Sequence, residues 1–144
     1  ALRAYVPLSD ILAASSFTAV EREVVLIATS VRNDCTYCVA AHSAIAGMQK
    51  VSADVVAALR DARPIPDARL EALRRFAEIV VDKRGWASED DVQAFLAAGF
   101  GRQQVLEVIL GVAFKTISNY TNHLVDTPLD EAFAGQAWTS RKAS

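Results

Sequence analysis

Two cysteines and a histidine stand within eight residues of one another, in Asn33-Asp34-Cys35-Thr36-Tyr37-Cys38-Val39-Ala40-Ala41-His42. An α-helix turns 100° per residue, so offsets of three and four put Cys35, Cys38 and His42 on one stripe of its surface. Two thiols beside an imidazole suit redox chemistry at sulfur or metal binding. They do not suit a structural staple, because a disulfide stabilises most by closing a long loop and this loop is very short. A thiol at a helix N-terminus meets unpaired N–H groups and the positive end of the dipole, which favour its thiolate; Cys35 is placed for that effect. His42, one turn after Cys38, can take a proton from Cys38 directly or through a water. The residues alone therefore leave the reactive thiol open between the two.

An imidazole base works best when its far nitrogen is oriented. Asp34 is expected to be occupied as a helix cap, so the orienting group must come from another helix. If residues 19–32 and 35–49 form an antiparallel helix pair about Asn33-Asp34, Glu23 lies ten residues before the turn and His42 eight after it. The two-residue difference is about 3 Å at a rise of 1.5 Å per residue, and Glu23 is expected to reach His42.

The elements needed to present these groups are all helical. Thr18-Ala19-Val20-Glu21 has the form of a capping box, and Val20, Val24, Ile27, Ala28 and Val31 recur at core-facing spacing after it. Asn33 or Asp34 is expected to cap the helix of residues 35–49. Ser52 opens a helix of residues 53–62, Arg63-Pro64-Ile65-Pro66 forms a rigid connection, and a helix of residues 68–84 ends at Gly85. Ser88 with Glu89, Asp90 and Asp91 begins the next helix, which reaches Ala98. Residues 102–125 form the longest helix, apolar nearly all round, which must be covered on several sides either by the monomer or by a second subunit. Residues 1–17 give at most a short helix around Leu8–Ala14, and 129–137 a last short helix before a polar tail at 139–144. No strand-like alternation appears. The expectation is a single all-α domain over 1–144 with its core at about 18–125.

Composition narrows the function. The 144 residues are 52% hydrophobic and 22% charged, with formal net charge −2 and pI near 5.7, so nucleic acid is not an expected partner. No apolar run approaches the eighteen or so residues that cross a bilayer, and no secretory signal is seen; a cytoplasmic protein with no membrane association is expected, although the chain begins at Ala1 and N-terminal sequence can be missing. Thioredoxin-like architecture is excluded because no strand precedes Cys35.

Glu23, eleven residues, then Cys35-x-x-Cys38-x-x-x-His42 in an all-helical chain resembles the alkylhydroperoxidase AhpD-like branch of the carboxymuconolactone decarboxylase superfamily, most strongly over about residues 18–50. The resemblance implies an AhpD-like helical domain that assembles into trimers or hexamers and reduces hydroperoxides. It further implies that Cys38 is the peroxidatic thiolate, that Cys35 resolves its sulfenic acid into a Cys35–Cys38 disulfide, and that Glu23 and His42 relay protons. No bound cofactor or metal is implied; the reductant would be an external dithiol or a lipoylated adaptor protein. Position 37 is Tyr37, where the best-known peroxidases of the family carry a second histidine. Lys115, Asn119, Asn122 and His123 form a polar stripe on the long helix that must find partners, as a structural network or as pocket lining; Tyr37, Asn119 and His123 are the pocket candidates. Trp86 and Trp138 are expected to pack in the core or an interface. Two competing functions are a lyase acting on a lactone acid, which has no need of a dithiol, and a zinc-binding or redox-sensing module using Cys35, Cys38, His42 and His123. The zinc site would crowd three ligands into two turns of one helix.

Overall fold

A computed structural model describes residues 2–140 of the chain, so residues 141–144 of the expected tail lie outside the described residues. The described residues form α1 (Leu2–Ala13), α2 (Ala19–Arg32), α3 (Thr36–Met48), α4 (Ala53–Arg60), α5 (Ala68–Asp82), α6 (Glu89–Ala97), α7 (Arg102–Val125) and a 3-10 turn (Glu131–Gln136), with no strand among them. The all-α class holds.

Helix α2 is the central element, packed on α3, α4, α5 and α7. Its start is fixed by the capping box: Thr18 Oγ1 accepts from Glu21 N–H, and the Glu21 carboxylate accepts from Thr18 N–H. Val24 and Ile27 are fully buried and meet Leu73 and Phe76 of α5 and Val108 of α7 in the main core. Gly111 lets α7 approach, since a Cβ there would stand 2.7 Å from Val25 Cγ1. The rings of Phe76, Phe95 and Phe100 stack in sequence, with centroids 4.5 and 4.4 Å apart, and the Arg69 guanidinium covers Phe100 at 3.8 Å.

Several helix ends differ from expectation by one or two residues, as α4 ends at Arg60 and α5 at Asp82. One difference matters for the site. The N-terminal segment is a full helix of 12 residues with Pro7 inside it, not a short helix at Leu8–Ala14, and it docks on α7 by stacking Tyr5 on Phe114 at 4.2 Å. The short helix expected within residues 129–137 is present as a 3-10 helix at Glu131–Gln136, which brings Phe133 to the site. Helix α7 is covered by α1, α2, α3 and α5 yet leaves Leu106, Ile109, Tyr120, Leu124 and Val125 exposed. Trp86 is 85% exposed, so it packs in no core of the described chain.

Candidate active site

The turn between α2 and α3 sets the positions of both thiols. Asn33 ends α2; Asp34 takes a left-handed φ of 57°, a conformation Asp tolerates better than most residues. Asp34 N–H then donates to Val31 C=O, and Cys35 N–H to Ser30 C=O. This is the Schellman arrangement, in which one left-handed residue satisfies the open carbonyls at a helix end. Neither Asn33 nor Asp34 caps α3. Cys35 itself is the N-cap residue, and the Asp34 carboxylate accepts from the Ser140 hydroxyl instead. With Cys35 at the cap, Cys38 falls in the first turn of α3, where the helix dipole favours an anion. The helix terminus therefore acts on Cys38 as well as Cys35.

Both thiols are free and buried, at 1% and 3% exposure. The Cys35 thiol hydrogen-bonds to the Cys38 sulfur, which pulls the Cys38 pKa down and, with burial, pushes that of Cys35 up. After the Cys35 thiol, the charge of Lys115 and the side chains of Asn119 and Ser118 also lower Cys38. Asn122 Nδ2 donates to Cys38 Sγ at 3.2 Å and lies 4.0 Å from Cys35 Sγ; Ser118 Oγ lies 3.8 Å from Cys38 Sγ. These contacts favour ionisation of Cys38 over Cys35.

His42 Nδ1 and Glu23 Oε2 are 2.9 Å apart, with side chains 12% and 5% exposed. Glu23 of α2 thus faces His42 of α3, in the register expected from the sequence. A carboxylate can only accept, so Nδ1 carries the proton and Nε2 is left as an acceptor. Burial lowers the His42 pKa, the Lys115 charge lowers it further, and Glu23 opposes both.

Cys38 and His42 line one cavity of about 530 Å³, with Tyr5, Tyr37, Ile45, Lys115, Ile117, Asn122 and Phe133 among its walls. The size suits a small organic ligand. Tyr37 donates to Asp130 at 2.5 Å and meets Phe133 edge-on at 6.1 Å; the Asp130 hydrogen bond, then burial, raises its pKa to about 12. The chain after α7 is held there by Arg60, which donates to the carbonyls of Gln136 and Ala137 at 2.9 and 2.8 Å. Trp138 Nε1 donates to Arg60 C=O at 3.0 Å.

The polar stripe of α7 divides. Lys115 and Asn122 line the cavity. Asn119 is fully buried beside it, accepting from Asn33 Nδ2 at 3.0 Å and donating to Ser30 Oγ at 3.3 Å. His123 is exposed and stacks on Tyr120 outside the cavity; its offset of four from Asn119 follows the helix toward the free end of α7, beyond the site. Among the described residues no three His, Cys, Asp or Glu side chains converge as a metal-ligand set. Tyr5 and Phe133 are cavity residues that the sequence did not single out, and Lys115 and Asn122 stood in the polar stripe without being named as pocket candidates. Lys115 and Asn122 carried a signal, as polar residues on an apolar helix; Tyr5 and Phe133 carried none.

This all-helical frame also occurs in solved structures. An uncharacterized peroxidase-related protein from Silicibacter sp. TM1040 superposes with a TM-score of 0.82 at 21% identity, over 94% of this chain and 73% of that one. An uncharacterized peroxidase-related protein from Ralstonia eutropha JMP134, described as an alkylhydroperoxidase AhpD core, gives a TM-score of 0.79 at 29% identity, over 95% of this chain and 75% of that one. No curated protein matches the sequence. The model of the carboxymuconolactone decarboxylase family matches residues 1–79, the stretch that contributes Glu23, Cys35, Cys38 and His42. On the strength of that match, joined to the AhpD-like fold, the chain belongs to the carboxymuconolactone decarboxylase family.

Proposed function

We propose that the protein is a thiol-dependent hydroperoxide reductase. The observation that carries this reading is the Cys38 sulfur, held by the Cys35 thiol and Asn122 at the wall of an apolar cavity that it shares with the Glu23-oriented His42.

Cys38 reacts as the thiolate, its proton having passed to solvent by way of His42 Nε2, which is left neutral and exchanges protons with solvent. The Cys38 thiolate attacks the outer oxygen of ROOH, the O–O bond breaks, and sulfur becomes a sulfenic acid while RO⁻ leaves. His42 relays a proton from solvent to RO⁻, giving ROH. Cys35 next attacks the Cys38 sulfur, its proton leaves through His42 with the displaced hydroxide as water, and a Cys35–Cys38 disulfide remains. In sum, two thiols and ROOH become a disulfide, ROH and water. Glu23 holds the His42 tautomer and stabilises the transient imidazolium. An external dithiol, free or carried by a lipoylated protein, then reduces the disulfide. The apolar residues exposed on α7 support assembly into a homo-oligomer, which sedimentation can test.

Consumption of tert-butyl hydroperoxide with dithiothreitol as reductant tests the function: wild type is active and Cys38→Ser is not. Full activity in Cys38→Ser overturns the reading. Turnover of a lactone acid by protein alkylated with iodoacetamide would favour the lyase chemistry that names the family.

A further inference from the structure

Lys115 is 1% exposed, and among the described residues it is the only Lys or Arg side chain lining the cavity. An ammonium taken out of water costs several kcal/mol unless an opposite charge compensates it. Among the described residues no carboxylate lies within 4.0 Å of it; Glu23 is engaged by His42. The compensating group is the Cys38 sulfur, which lines the same cavity; the other contact of the ammonium is the Phe114 ring, 5.6 Å from Nζ. Burial lowers the Lys115 pKa, and Cys38 is the foremost group that holds the proton on, ahead of Cys35 and Glu23.

The other titratable groups facing Cys38 cannot take this place. Cys35 is held protonated. Tyr5, from α1, has its pKa raised by burial, and Tyr37 is held as a phenol by Asp130, so neither supplies a cation or a competing anion. His42 is kept neutral by burial and by Lys115 itself.

We propose that Lys115 is the counter-ion of the Cys38 thiolate: a buried ammonium on α7 that holds the sulfur ionised and, facing His42 as well, keeps that imidazole neutral and ready to accept a proton. This assignment rests on Cys38 being the reactive sulfur of the proposed reductase. It gives the site a fixed cation in addition to the helix dipole, and it explains a buried charged residue in the middle of α7.

The test reads the thiolate and not turnover. The pH dependence of Cys38 alkylation by iodoacetamide, followed by peptide mass mapping, is measured for reduced wild type, Lys115→Met and Lys115→Arg. Methionine keeps the length and buries without penalty. The expected result is a thiolate midpoint raised by about one pH unit or more in Lys115→Met, a tenfold or greater loss of alkylation rate at acidic pH, with Lys115→Arg near wild type. An unchanged midpoint in folded Lys115→Met overturns the proposal. Should Lys115→Met fail to fold, NMR of lysine Nζ resonances in wild type and Cys38→Ser replaces it: there are four lysines to resolve. Linkage requires the Lys115 titration to move down when the Cys38 sulfur is gone, and an identical titration in both overturns the proposal. A raised midpoint in a protein that consumes no hydroperoxide would support the counter-ion and refute the reductase.

Discussion

Glu23→Gln isolates the part of the site that came from two different helices. The substitution keeps size and an accepting oxygen near His42 Nδ1 but removes the negative charge 2.9 Å away. Both side chains are nearly enclosed, at 5% and 12% exposure, so solvent screens the pair little. A hydrogen bond to a charged group contributes about 1.5–3 kcal/mol and a neutral one about 1. The imidazolium formed in turnover therefore loses about 1–2 kcal/mol of support, which corresponds to about a 5- to 30-fold fall in rate. Single-turnover oxidation by tert-butyl hydroperoxide, read by the loss of free thiol, measures it. Because Glu23 acts through His42, Glu23→Gln in a His42→Gln background is expected to add almost nothing. A wild-type rate for Glu23→Gln alongside a slow His42→Gln, or two losses that simply add, would refute the relay. The melting temperature of each variant shows whether it remains folded.

Four further outcomes are expected. The Cys38 pKa lies below its ordinary 9.0 and that of His42 below its ordinary 6.5, so between folded and unfolded values the unfolded chain binds more protons. These groups add stability above their unfolded pKa values, and it is lost as pH falls. The melting temperature of the reduced protein should thus drop on acidification from about pH 8.5, with a flatter slope in Cys38→Ser. Phe133→Ala removes a ring from the apolar cavity wall and is expected to raise KM for cumene hydroperoxide about 5-fold or more while changing that for hydrogen peroxide less than twofold. Arg60→Ala loses two carbonyl contacts to the chain after α7 and should cost about 1 kcal/mol, seen as faster proteolysis near residues 130–140. Gly111→Ala forces a methyl group to within 2.7 Å of Val25 and is expected to destabilise by about 1–3 kcal/mol in urea unfolding.

Where local chemistry dictates structure, the sequence was legible. The Thr18–Glu21 and Ser88–Asp91 caps, the span of α7 and the facing of Glu23 and His42 all follow from side-chain hydrogen bonding and helical rise. The α2–α3 turn was not, because the choice between Asp34 as a cap and Asp34 as a left-handed residue depends on how the carbonyls of Ser30 and Val31 are satisfied. Tyr5 and Phe133 reach the cavity from the two ends of the described chain, and long-range docking leaves no periodic trace in a segment of a few residues. His123 shows the limit of stripe arguments: it shares a helix face with Asn119, yet α7 has passed the site by the time it reaches His123.

The central claim is that Cys38 takes the oxygen and Cys35 closes the disulfide. Intact mass of the reduced protein after one equivalent of tert-butyl hydroperoxide tests it most directly. Wild type is expected to lose two hydrogens, Cys35→Ser to gain one oxygen on Cys38, and Cys38→Ser to show no change. An unchanged wild-type mass, or an added oxygen on Cys35 in Cys38→Ser, would contradict it.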